Sequence, residues 1–137
     1  MIHDTAIIGK DVKIDEDVNI GPFVIIEGNV TIGSGTKIYP SSYISGNTII
    51  GNDNIIHSFC SIGSIPQDLK YHGEQSFLKI GNSNTFREHC TINTGTENGG
   101  LNTIIGSNSL FMTGSHIAHD CIVGNNVIMA NQATLGG

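Results

Sequence analysis

The 137-residue sequence predicts an all-β chain, wound as a parallel β-helix of hexapeptide repeats into a three-sided prism that forms one domain over residues 1–137. Three observations carry that expectation. Ile2, Ile8, Ile14, Ile20, Ile26, Ile32, Ile38, Ile44, Ile50, Ile56 and Ile62 stand in a strict period of six without a gap. Glycine follows several of them directly, as Gly9, Gly21, Gly33, Gly51 and Gly63, and a small or β-branched residue comes four places on, as in Val18, Val24, Val30, Thr36, Ser42 and Thr48. The composition fits as well, with 18 glycines, 38% hydrophobic residues and only 13% charged ones, about half the usual ~25%.

A period of six is not the 3.6 of an amphipathic helix, and it breaks the simple alternation of a long strand. Each repeat therefore reads as a short strand and a turn, with the large residue and the small one four places later both facing inward. The glycine after the large residue, with Asn and Asp nearby, is expected to supply the turn conformations. Three repeats make an eighteen-residue coil, and coils stack about 4.8 Å apart. The first run ends near Ile62 and is followed by an insertion at about residues 64–79. The period resumes at Ile80, Phe86 and Ile92, pauses for a second insertion at about 94–103, and returns at Ile105, Phe111, Ile117, Val123, Met129 and Leu135. Insertions in a solenoid project outward from its corners and often carry function. Cys60, Cys90 and Cys121 occupy the small inward slot, which gives them a packing role. Prisms of this repeat wind left-handed, against the usual crossover rule, although the period itself carries no hand.

Charge and segment patterning narrow the function. A formal charge of −6 argues against nucleic acid or an anionic membrane as partner, because phosphates need clustered Lys and Arg. No run of 18 apolar residues exists, so no transmembrane segment is expected. The start, Met1-Ile2-His3-Asp4, lacks the basic and apolar regions of a secretory signal. Three scattered cysteines fit a reducing, cytoplasmic compartment better than a disulfide framework. Asp11, Asp15, Glu16 and Asp17 read as a solvated acidic face.

Three places stand out as capable of chemistry. The first insertion holds Gln67-Asp68-Leu69-Lys70-Tyr71-His72-Gly73-Glu74, polar in a chain otherwise poor in charge. The segment Gly114-Ser115-His116-Ile117-Ala118-His119-Asp120-Cys121 turns Ile117 and Cys121 inward, which leaves His116, His119 and Asp120 on the outside or at a corner. Leu135-Gly136-Gly137 offers exposed amides as hydrogen-bond donors. On spacing alone, a surface histidine is more often solvated than catalytic, and Asp68 and Lys70 could simply pair with each other. A zinc site on His116 and His119 would need a third ligand, and His89 lies at no matching spacing, so no metal is expected. His3, His57, His72 and His89 receive no role.

The prism, the Gln67-Asp68-Leu69-Lys70-Tyr71 loop and the His116-Ile117-Ala118-His119-Asp120-Cys121 segment together resemble the UDP-N-acetylglucosamine O-acyltransferases of lipid A biosynthesis, a family of hexapeptide-repeat acyltransferases. The resemblance runs the whole length of the chain. It implies transfer of a 3-hydroxyacyl chain from acyl carrier protein to the 3-position of UDP-N-acetylglucosamine. It makes His119 the general base, Asp120 its orienting acid and Gly137 the backbone donor of an oxyanion hole. It makes Gln67, Asp68, Lys70 and His116 substrate-binding residues. The phosphopantetheine-linked acyl chain is a co-substrate, no cofactor is implied, and the assembly is a homotrimer.

The chemistry agrees with the residue types: a histidine base works near neutral pH, an exposed glycine amide can face an oxyanion, and Lys70 suits a diphosphate. Thr94 stands where the family commonly has arginine. The family also continues past the position of Gly137 for several coils and a helical domain, so the chain is expected to be an amino-terminal portion or a short form, able to fold and trimerise but weakly active. The alternatives are an acetyl-CoA-dependent amino-sugar acetyltransferase on the same prism, or a non-catalytic trimeric β-helix fragment.

Overall fold

In the computed structural model, which describes residues 1–137, nineteen short strands wind into three parallel sheets, one of seven strands and two of six. The first sheet stacks Ile7–Ile8, Ile25–Ile26, Tyr43–Ile44, Ser61–Ser64, Thr91–Asn93, His116–Ile117 and Thr134–Leu135. The second runs from Lys13–Ile14 to Ile122–Val123 and the third from Asn19–Ile20 to Ile128–Met129. Register is set by the large residue: Ile8 pairs with Ile26, Ile26 with Ile44, Ile44 with Ile62, Ile62 with Ile92 and Ile92 with Ile117. Each pairing buries the same slot of the next coil, so the slots form one continuous core along the prism axis. Phe86 and Phe111 take that slot in the third sheet and stack at 4.9 Å between ring centroids. No helix is long and apolar enough to cross a membrane.

The small inward slot does more than fill space. At the corner between the second and third sheets it holds Thr36, Asn54, Asn84 and Ser109, all buried. Asn54 donates to the Gly81 carbonyl (2.9 Å) and accepts from the Asn84 N–H (2.9 Å). Asn84 repeats this one coil up, donating to the Gly106 carbonyl (2.8 Å) and accepting from the Ser109 N–H (3.0 Å). These side chains satisfy turn amides that the sheets leave unpaired and that burial would otherwise make costly. Cys60 and Cys90 are buried in the equivalent slot at another corner, and all three cysteines are free thiols.

The structure corrects the role expected for glycine. The left-handed turn conformation falls on the third residue after the large one, and most of these residues are not glycine: Asp17, Phe23, Ser41, Asp53, Phe59, Ser83, His89, Asn108, Asp120, Asn126 and Gln132 all have φ between 56° and 66°. Of the glycines directly after the large residue, Gly63 does take positive φ (87°), while Gly9, Gly21, Gly33, Gly51, Gly81 and Gly106 serve close stacking instead. A Cβ on Gly33 would lie 2.3 Å from the Asn52 side-chain oxygen and 2.7 Å from the Gly51 carbonyl carbon. The insertions are also shorter than expected. Ser64 pairs with Asn93, and Phe77–Ile80 pairs residue for residue with Asn47–Ile50, so the first loop proper is 65–76. Strand pairing resumes at Asn102, which ends the second at residue 101. Both strands begin early because alternation lets Leu78 and Thr103 reach the small slot ahead of the next large residue.

Removing one aromatic ring from this column leaves a cavity that neighbouring coils cannot close. Phe86→Ala should lower the unfolding free energy by about 3–5 kcal/mol, measured by urea denaturation. A loss of less than about 1 kcal/mol would mean that the stacked core is not the main source of stability.

Candidate active site

Loop placement follows from the winding. The first insertion joins Ser61–Ser64 of the first sheet to Phe77–Ile80 of the second, and the second insertion joins Thr91–Asn93 to Asn102–Ile105. His119 and Asp120 lie between His116–Ile117 and Ile122–Val123, again passing from the first sheet to the second. All three segments therefore occupy one corner of the prism on three successive coils. There Gln67, Asp68, Lys70, His116 and His119, with Thr134 and Gly136, line an open cleft of about 730 Å³.

The centre of the cleft is a hydrogen-bonded pair. His119 Nδ1 and Asp120 Oδ2 are 2.9 Å apart, with the His119 side chain 20% exposed and that of Asp120 only 9%. The Thr96 N–H donates to Asp120 Oδ1 (2.7 Å) and the Thr96 hydroxyl to Oδ2 (2.5 Å). Burial pushes the Asp120 carboxyl upward, but the Thr96 donors and the adjacent His119 overcome it and hold it below the usual carboxylate range. An anionic Asp120 can only accept, so Nδ1 carries the proton, and in the neutral ring Nε2 keeps a lone pair. Nε2 faces Asp68, whose Oδ2 is 3.8 Å away. Protonation of the ring would thus place an imidazolium between two carboxylates. Gly137, at φ 97°, packs against the same edge of the ring: a Cβ there would meet His119 Cε1 at 2.8 Å and Nε2 at 2.9 Å.

The remaining candidates fall around this pair. His116 lies on the first sheet with Nδ1 2.7 Å from the Thr91 hydroxyl. Gln67 and Lys70 are exposed on the loop that faces it. Asp68 accepts from the Lys70 backbone N–H (2.9 Å), and the Lys70 ammonium forms no ion pair, so the side-chain pairing considered above does not occur. His89 stacks on Phe59 at the corner between the third and first sheets, away from His116 and His119.

Residues that sequence reasoning passed over tie the two loops together. The Glu74 carboxylate accepts from the Glu97 N–H (2.9 Å) and the His72 N–H (2.8 Å), which holds it below its ordinary range. The His72 ring lies 3.4 Å from both Glu74 and Glu97. These three could offer ligand atoms to a cation, yet the Glu74 oxygens are already engaged by backbone donors. Ser76 donates to Thr94 (2.8 Å) across the same junction. The one available signal for Thr96 was its place in an insertion exactly one coil below His119.

Comparison with known proteins agrees with the fold. The family model described as bacterial transferase hexapeptide (six repeats) matches residues 29–64 and 102–137. The acyl-[acyl-carrier-protein]–UDP-N-acetylglucosamine O-acyltransferase of Thermodesulfovibrio yellowstonii is 50% identical over 136 residues, 99% of this chain and 53% of that protein. The structure of LpxA from Acinetobacter baumannii superposes with a TM-score of 0.96 at 50% identity, covering 97% of this chain and 52% of the other. LpxA of Bacteroides fragilis, a UDP-N-acetylglucosamine acyltransferase, gives 0.96 at 45% identity, covering 98% and 52%. The chain spans about half the length of the relatives it matches. The prism shares their left-handed winding. With more than half of its residues matched by the repeat model, and with its coils stacked as the repeat requires, the chain belongs to the bacterial transferase hexapeptide family.

Proposed function

We propose that this chain carries the base and the acceptor-sugar side of an acyl-[acyl-carrier-protein]–UDP-N-acetylglucosamine O-acyltransferase site. One observation carries the reading: His119 is held by Asp120 through Nδ1 while Nε2 opens onto a cleft lined by Gln67, Asp68, Lys70 and His116. The 50% identity to a relative of that name supports it.

In this mechanism His119 Nε2 takes the proton of the sugar 3-hydroxyl as its oxygen attacks the thioester carbonyl of a 3-hydroxyacyl chain on acyl carrier protein. Asp120 and Asp68 stabilise the imidazolium that forms. The Gly137 N–H faces the carbonyl oxygen as it becomes anionic. Collapse of the tetrahedral intermediate breaks the C–S bond, and the imidazolium returns the proton to the phosphopantetheine thiolate. Lys70, free of any ion pair, meets the diphosphate, while Gln67 and His116 position the acceptor and donor. No step calls on a metal or cofactor. Nucleotide sugar, acyl carrier protein and three unpaired thiols all suit a cytoplasmic location.

We propose further that three copies pack side by side about a threefold axis, with the cleft between neighbours. Flat faces, few charges and exposed apolar residues such as Ile122 (79%) and Ile128 (71%) favour such packing. Light scattering at tens of micromolar should return the mass of a trimer, and a monomer would contradict it.

The catalytic reading is tested by His119→Ala, in this chain and in a fusion with the carboxy-terminal half of the Thermodesulfovibrio relative. Turnover with UDP-N-acetylglucosamine and acyl carrier protein thioester should fall by about 10²- to 10⁴-fold with folding unchanged. Near-normal turnover would remove His119 from the mechanism. Preference of the unsubstituted protein for acetyl-CoA would remove the proposed donor.

A further inference from the structure

The charged end of the His119–Asp120 pair is held from a different coil. We propose that Thr96, in the second insertion, is a positioning residue for this pair: its hydroxyl and backbone N–H fix the Asp120 carboxylate, and through it the tautomer and ring plane of His119. The functional weight of that role rests on the reading of His119 as the general base.

The hydrogen-bond directions are determined by what surrounds Thr96. Its hydroxyl accepts from the Gly99 N–H (3.2 Å), capping the short 3-10 turn Glu97–Gly99. Its one proton is therefore directed to Asp120 Oδ2 (2.5 Å), the oxygen that also receives His119 Nδ1. The backbone N–H takes Oδ1 (2.7 Å), so the carboxylate is gripped at both oxygens and cannot rotate. Thr96 is 2% exposed, which prevents water from replacing the hydroxyl.

The neighbouring residues close the grip. Gly99 leaves room for the carboxylate, since a Cβ there would lie 2.0 Å from Asp120 Oδ2. The Thr103 hydroxyl accepts the Asp120 N–H (2.9 Å), fixing the backbone where φ is 65°. Aspartate tolerates this left-handed conformation better than most residues. The second insertion thus delivers two donors to one carboxylate, and the carboxylate delivers one acceptor to Nδ1. Without the Thr96 hydroxyl, Asp120 is held at a single oxygen and its hold on Nδ1–H loosens. A free imidazole side chain favours the Nε2–H tautomer, which has no lone pair to offer the cleft.

Histidine-selective ¹⁵N NMR of the 137-residue chain at alkaline pH reads the His119 tautomer directly and needs no substrate. The unsubstituted chain and Thr96→Ser should show the Nδ1–H tautomer alone. Thr96→Val should show a mixture with Nε2–H, and Thr96→Ala gives the same reading if the valine variant fails to fold. In the acyl-transfer assay, loss of the hydroxyl should lower kcat by about 10- to 100-fold, the weight of a hydrogen bond to a charged group. KM for the acceptor should be unchanged, with serine restoring kcat. A pure Nδ1–H tautomer in Thr96→Val or Thr96→Ala overturns the proposal. A tautomer shift in a protein that transfers no acyl group upholds the positioning role and defeats the catalytic reading instead.

Discussion

Every feature of the molecule depends on stacking one large apolar side chain on the same slot of the coil below. Because Ile26 must sit on Ile8, and Ile92 on Ile62, the residues between them close a turn of the prism whatever their number. The coil ending at Ile80 takes thirty residues and the one ending at Ile105 takes twenty-five, against eighteen elsewhere, yet the large residues stay paired, and the first sheet shifts register only after Ile62, where the first insertion begins. The surplus can leave only at a corner, since a bulge within a face would pull the large residue out of the column. Loop placement is thus a direct consequence of core packing.

That constraint builds the site. Two insertions on successive coils at one corner are forced to lie one above the other, and the turn above them carries His119 and Asp120. The first loop brings Asp68 to Nε2 and the second brings Thr96 to Asp120, so the imidazole is addressed from both ends by chain that is distant in sequence. The Glu74 carboxylate, accepting from both loops, keeps the two from moving independently. A rigid scaffold with precise loops suits chemistry that depends on orientation of a base rather than on a large conformational change.

The architecture was legible because isoleucine marks the period so consistently, and the large slot is buried through the central coils wherever the period placed it. The site was legible only in part. His116, His119 and Asp120 could be placed outside the core by subtraction, since Ile117 had to point inward. The turns were read in part: Asp17, Asp53 and Asp120 take positive φ, as expected of Asn and Asp near the large residue. The glycines directly after it, Gly63 apart, do not, because composition identifies a residue that can adopt positive φ and not the one that does. Loop ends were misjudged at Phe77 and Asn102, where strand alternation begins before the next large residue. Thr96 was hardest to read, because its contact with Asp120 spans 24 residues and its one signal was the place of its insertion a coil below His119.

The central claim is that the corner joining the first and second sheets is where the nucleotide sugar binds. Titration of ¹⁵N-labelled chain with UDP-N-acetylglucosamine to millimolar concentration, followed by two-dimensional NMR, tests it most directly. Amide shifts should concentrate at residues 67–70, 116–119 and 134–137 and leave the opposite faces, including Asp15 and His89, unmoved. Absence of any shift at that concentration, or shifts centred on another face, would contradict it.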